Sequence, residues 1–204
     1  IPNVPLGKDG SRVTACQKHI TLSKEAAKEG MVLLKNENNT LPLAEGARVA
    51  LFGKATADYV KGGGGSGDVT TAYVRSILQG LQIKEAEGKV QLYQPLSAYY
   101  EENVASRRAE GKAPGFTAEP ELPQKLLEEA RAFADTAMIT ICRFSGEGWD
   151  RTGEPFDGDF YLSREEKAMV DAVLAVFDKA IVVLNAGGIM DTAWFKNEPK
   201  IKAA

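Results

Sequence analysis

Hydrophobic positions along the chain follow two rhythms. Four short runs predict strands: Arg48 to Phe52 (RVALF), Val90 to Tyr93, Thr136 to Cys142 (TAMITIC) and Ala180 to Asn185 (AIVVLN), the last two apolar almost throughout. Unbroken apolar runs of this length predict strands buried on both faces. Between them, apolar residues recur at helical spacing. Ser23 is placed to cap a helix reaching about Asn36, with Ala26, Ala27, Gly30, Met31, Leu33 and Leu34 on its apolar side. Thr70 or Thr71 would cap a second, carrying Val74, Ile77, Leu78 and Leu81. Residues 96–120 predict a helix followed by a surface loop, and Leu122 to Phe133 another helix. Ser163 and Glu166 form an S-x-x-E capping box ahead of Met169, Val170, Val173, Leu174 and Phe177. Residues 1–21 read as an extended lead-in, and 22–204 as one domain.

Strands alternating with helices predict an α/β fold: a mainly parallel sheet with helices on both faces, a three-layer sandwich. In such sheets function gathers at the loops leaving the C-terminal strand ends. Residues 53–70, 143–162 and 186–192 occupy those places, and they are also the glycine-rich parts of the chain. After Trp194 and Phe195 the segment KNEPKIKAA shows no closing element, so the domain reads as incomplete at its C-terminal end.

Composition changes this picture little. Of 204 residues, 44% are hydrophobic and 26% charged, ordinary values for a globular domain. A net charge of −3 with no basic cluster beyond a pair such as Arg107-Arg108 argues against nucleic acid as a partner. No apolar stretch approaches a membrane span, so no membrane partner is expected. The N-terminus lacks the basic and apolar regions of a signal peptide, which points to a cytoplasmic location; without an initiator methionine it reads as starting inside a longer chain. Cys16 and Cys142 lie in no metal-ligand spacing, and the single histidine, His19, has no matching partners nearby. No metal and no cofactor are expected.

Two loops carry candidate chemistry. In KGGGGSGD (61–68), Gly62, Gly64 and Gly67 formally match a dinucleotide-binding pattern, with Glu85 and Glu87 at about the distance of a ribose-binding acid. About eight residues separate the preceding strand from the first glycine, however, where a dinucleotide turn enters its helix almost at once. The remaining readings are a plain turn, or a loop whose glycines let backbone approach a ligand, with Ser66 offering a hydroxyl. The second loop, FSGEGWDRTGEPFDGDF (144–160), holds Glu147 between Gly146 and Gly148, beside Trp149 and an ion-pair candidate, Asp150 with Arg151. Such a glutamate is either simply solvated or presented from a loop tip as an acid or base. The acidic spacing does not fit an EF-hand.

Taken in order, EGMVLLKNENNTLPL (29–43), VALFG (49–53), GGGGSGDV (62–69), SGEGWDR (145–151), LSREEK (162–167) and VVLNAGGIMDTAWF (182–195) closely resemble the α/β-sandwich domain of glycoside hydrolase family 3, the β-glucosidase and β-xylosidase family. The resemblance implies a retaining enzyme acting on terminal β-linked sugars of a glycoside or oligosaccharide. It implies that Glu147, in the EG-x-DR loop, is the catalytic acid/base, and that a TIM-barrel domain of the same polypeptide supplies an aspartate nucleophile. It further implies that Ser66 and Gly65 contact substrate and that Trp149, Asp150 and Arg151 shape the acid loop. With the barrel missing, the chain alone is expected to be inactive. The alternatives are a non-catalytic carbohydrate-binding or domain-docking module and, third, a nucleotide-binding α/β protein.

Overall fold

Thr136–Arg143 (β3) is buried at every position. It sits at the centre of a five-stranded sheet with Ala47–Phe52 (β1), Val90–Leu92 (β2), Ala180–Ala186 (β4) and Ile201–Ala203 (β5), in the order β2-β1-β3-β4-β5. Every strand pair is parallel, as Phe52 opposite Ile139 and Arg143 opposite Ala186 illustrate. The computed structural model describes residues 6–11, 13, 15–71 and 73–204. They form two compact units, residues 1–34 and 35–204.

In the larger unit the two-residue period of the strands divides the core. Ala50 and Phe52 of β1, with Ala137, Ile139 and Ile141 of β3, face Gln94–Ala109 (α3), Gln124–Phe133 (α4) and Arg164–Val176 (α5). Val49 and Leu51 face the other way, against Leu78 of Ile77–Ala86 (α2). Helices therefore cover both faces, as the alternating pattern predicted. Ser163 and Glu166 make the predicted capping box at the start of α5.

Several boundaries differ from the sequence reading. In the smaller unit the helix runs Gln17–Glu29 (α1), not Ser23 to Asn36. Cys16 stands at its N-cap, and it ends at Gly30, where the Gly30 N–H donates to the Ala26 carbonyl at 3.0 Å and the Met31 N–H to the Lys28 carbonyl at 3.3 Å. Met31 to Leu34 then lie outside any helix, so their apolar spacing is not a helical stripe. Helix α2 is capped by Ser76, which builds its own capping box with Gln79, in place of Thr70 or Thr71. Thr70 belongs to the loop. The tail is a genuine correction: after a one-turn helix, Ala193–Lys196 (α6), Ile201–Ala203 forms β5 with Ile201 and Ala203 fully buried. Lys35 and Ala204 exchange backbone hydrogen bonds of 3.2 and 2.9 Å along its outer edge.

The strand order reverses between β1 and β3, whose chains leave in opposite directions. The loops after β1 and after β3 therefore open side by side at the C-terminal edge, where open parallel sheets build their binding crevices.

Candidate active site

The loop that follows β3 carries Glu147, and the loop that follows β1 carries Ser66. They are joined into one structure. The Gly64 N–H donates to the Ser145 carbonyl at 2.9 Å, and Gly64 and Gly146 form a parallel bridge. The approach is too close for side chains. A Cβ at Gly63 would lie 2.9 Å from the Ser145 oxygen, and one at Gly64 2.7 Å from the Phe144 ring. At Gly65, where φ is +68°, it would lie 2.7 Å from both Cβ and Oε2 of Glu147. Gly63, Gly64 and Gly65 are thus required by the acid loop that packs on them, whereas Gly62 and Gly67 face open space.

Glu147 rides a tight turn. Trp149 N–H donates to the Gly146 carbonyl at 3.0 Å, and Gly148 takes φ +75°. The glutamate is exposed, and one of its oxygens is held: Oε2 accepts the Ser66 N–H at 3.2 Å and the Ser66 hydroxyl at 3.0 Å. These two bonds favour the ionised form and hold the Glu147 pKa below its ordinary value.

Beneath the turn, Trp149, Phe144 and Phe116 form an aromatic cluster with ring centroids 4.9 to 5.7 Å apart. Trp149 stays 61% exposed, so one side of its ring is available. Arg151 closes the base of the loop. Its guanidinium donates to the Phe144 carbonyl at 2.9 Å, pairs with Asp159, and lies against Gly188 of the loop after β4. The expected Asp150–Arg151 pair is not formed: Asp150 is exposed and makes no hydrogen bond or ion pair among the described residues. Asp159 takes that place because it also caps the return arm, accepting the Thr152 N–H at 2.7 Å. Burial opposes its ionisation, but the Thr152 and Arg151 bonds outweigh it and its pKa is lowered.

A second anchor lies deeper. Arg143, the last residue of β3 and 4% exposed, makes a two-bond pair with Glu166, both bonds 2.7 Å. Its remaining N–H groups reach the Asp159 and Cys142 carbonyls, each at 2.7 Å, and the Tyr161 carbonyl at 3.1 Å. Beside it a cavity of about 400 Å³ is lined by Lys54, Thr117, Glu119, Cys142 and Arg143, with Phe144 and Arg151 from the loop above. Glu119 accepts the Lys54 N–H at 2.7 Å, and burial raises its pKa to about 8. Asp58 ties in the 110–120 loop by accepting from Arg108 at 2.7 Å and Gly115 at 3.0 Å. Burial opposes its charge too, yet these bonds and that from Thr117 lower its pKa.

The structure therefore brings Ser66, Gly65, Glu147, Trp149 and Arg151 together and leaves Asp150 outside. The sequence reading missed Phe116, Phe144, Asp159 and the Arg143–Glu166 pair. Only the last had a visible signal, Glu166 in its capping box.

Residues 31–204 match the Glycosyl hydrolase family 3 C-terminal domain. Beta-glucosidase A of Butyrivibrio fibrisolvens is 50% identical over 99% of this chain, and a beta-glucosidase of Ruminococcus albus is 33% identical over 85%. Among solved structures, beta-glucosidase 3B of Thermotoga neapolitana in complex with α-D-glucose superposes with a TM-score of 0.79 at 34% identity over 95% of the chain. A beta-glucosidase of Paenibacillus barengoltzii gives a TM-score of 0.82 at 30% identity over 92%. The chain spans 26%, 18%, 27% and 21% of these four relatives, respectively. By the match of nearly its whole length, the chain belongs to glycoside hydrolase family 3, as a C-terminal-type α/β domain.

Proposed function

We propose that this domain supplies the acid/base carboxylate, Glu147, of a retaining β-glycosidase acting on terminal β-linked sugars. The aspartate nucleophile would stand on a TIM-barrel domain of the same polypeptide. The observation that carries this reading is the placement of Glu147: an exposed carboxylate on a braced turn at the switch point of the sheet, beside a half-open tryptophan face. Glu147 protonates the glycosidic oxygen as the bond to the sugar breaks, then takes a proton from the incoming water. Retention requires the two carboxyls to stand about 5–5.5 Å apart, so the barrel must bring its aspartate to within that distance. Trp149 offers an exposed apolar face beside Glu147.

A general acid must carry a proton at working pH, whereas Glu147 in this domain is held below the ordinary glutamate range. Docking of the barrel reverses that. A second carboxylate nearby and the expulsion of water both disfavour ionisation and raise the pKa. The domain alone, lacking the nucleophile, hydrolyses no aryl β-glycoside.

In the full-length enzyme, Glu147→Ala is expected to lower turnover on alkyl β-glucosides by roughly 10²–10⁴-fold, the usual contribution of a general acid. Substrates with strongly acidic leaving groups, which depart without a proton, should be spared in the first step. Unchanged turnover on poor leaving groups would remove Glu147 from the mechanism.

A further inference from the structure

Resting on that assignment, we infer that Ser66 is a positioning residue that locks Oε2 of Glu147, so that Oε1 alone carries the proton to and from the reacting oxygens. Both donors of Ser66, its backbone N–H at 3.2 Å and its hydroxyl at 3.0 Å, converge on Oε2. No hydrogen bond occupies Oε1 among the described residues, and the glutamate side chain is exposed. A carboxylic acid protonated on one oxygen keeps the other as a carbonyl acceptor, so Ser66 can hold the same Oε2 in both protonation states. The glutamate then need not rotate between its acid half-reaction and its base half-reaction. The local backbone is built for this contact. Gly65 adopts φ +68°, which turns the Ser66 N–H toward the acid loop, and any side chain at Gly65 would clash with Cβ and Oε2 of Glu147.

Other charges on the packed loops do not compete for this role. Lys61 pairs with Asp68 at 2.6 Å, Arg151 pairs with Asp159, and Asp150 is exposed. The two Ser66 bonds are the leading influences on Glu147, and both lower its pKa. Ser66 thereby opposes the raising effect of the nucleophile's charge and sets where the alkaline limb of activity falls.

The test has two arms. In this chain, the Glu147 side-chain carboxyl is titrated by carbon-detected NMR in the native sequence, Ser66→Ala and Ser66→Thr. The native midpoint is expected below 4.5, the ordinary glutamate value; Ser66→Ala should move it up and Ser66→Thr should restore it. In the full-length enzyme, Ser66→Ala should lower kcat on poor leaving groups by about 10–100-fold. KM should change little, the alkaline limb should move upward, and Ser66→Thr should recover most of the loss. An unmoved Glu147 midpoint in Ser66→Ala overturns the inference. So does a rise in KM that is equal for all leaving groups, which would make Ser66 a sugar contact. The titration needs no activity, so it stands or falls separately from the acid/base assignment, which Glu147→Ala tests.

Discussion

Glu166 is the buried counter-ion of Arg143 at the root of the acid loop, and its removal should be severe. Its two oxygens take both Arg143 bonds at 2.7 Å, with each side chain 4% exposed. Oε2 also accepts the Ser163 N–H at 2.9 Å in the cap of α5. Breaking one side of a buried pair costs about 3–5 kcal/mol, because the surviving charge stays out of water without a partner. Losing the N3 side of the capping box adds roughly 0.5–1 kcal/mol. Glu166→Ala should therefore destabilise the domain by about 4–6 kcal/mol, a large share of the ~5–15 kcal/mol typical of a domain. Arg143→Met should cost about 3–5 kcal/mol on the same ground. The double variant Arg143→Met/Glu166→Leu removes both charges, so it should cost less than the sum of the singles by about 2 kcal/mol or more. Urea unfolding followed by tryptophan fluorescence measures all three, since Trp149 and Trp194 report on the loop and on the far edge of the sheet. A cost below about 1 kcal/mol for Glu166→Ala would refute the reasoning, as would single costs that add in the double variant.

Two further predictions concern other residues of the site. Glu119 keeps its proton in the folded state up to about pH 8, whereas the unfolded chain releases it near 4.5. Over that window the folded state binds more protons, so this group makes stability fall as pH rises, by at most about 1.4 kcal/mol per unit. Glu119→Gln should flatten the dependence between pH 5 and 8 in urea titrations; an unchanged slope would show that Glu119 is ionised in the fold. Gly65→Ala forces an L-residue to φ +68° at about 1–2 kcal/mol and drives its Cβ into Glu147. It should reduce kcat in the full-length enzyme by on the order of 10²-fold while the domain still folds, and near-native kcat would show that the loops separate easily.

The fold was largely legible because its signals are local and repeated. β3 is buried on both faces and reads as an apolar run, and Ser163 and Glu166 announce α5 from four residues. β5 was not legible: it has three residues, its middle one is Lys202, and only pairing with β4 makes it a strand. The end of the first helix was misread because Met31, Leu33 and Leu34 continue its apolar spacing past Gly30. At the site, the ordered motifs marked Glu147, Ser66 and Arg151, but no spacing could show that Arg151 selects Asp159 over its neighbour Asp150. That choice depends on how the loop returns to α5. The glycine run was read as room for a ligand or a plain turn; no spacing could show that Gly63, Gly64 and Gly65 also make room for the Ser145 carbonyl, the Phe144 ring and Glu147.

The central claim, that Glu147 is the acid/base partner of a nucleophile on another domain, is tested most directly by azide rescue of Glu147→Ala in the full-length enzyme. The substrate should be an aryl β-glucoside with an acidic leaving group, so that the glycosyl-enzyme still forms without a general acid. Azide needs no general base, so it should accelerate turnover, and two successive inversions should leave a β-glucosyl azide as product. Absence of rescue would contradict the account. An α-glucosyl azide would contradict it more sharply, since a single inversion would mean that Glu147 is the nucleophile.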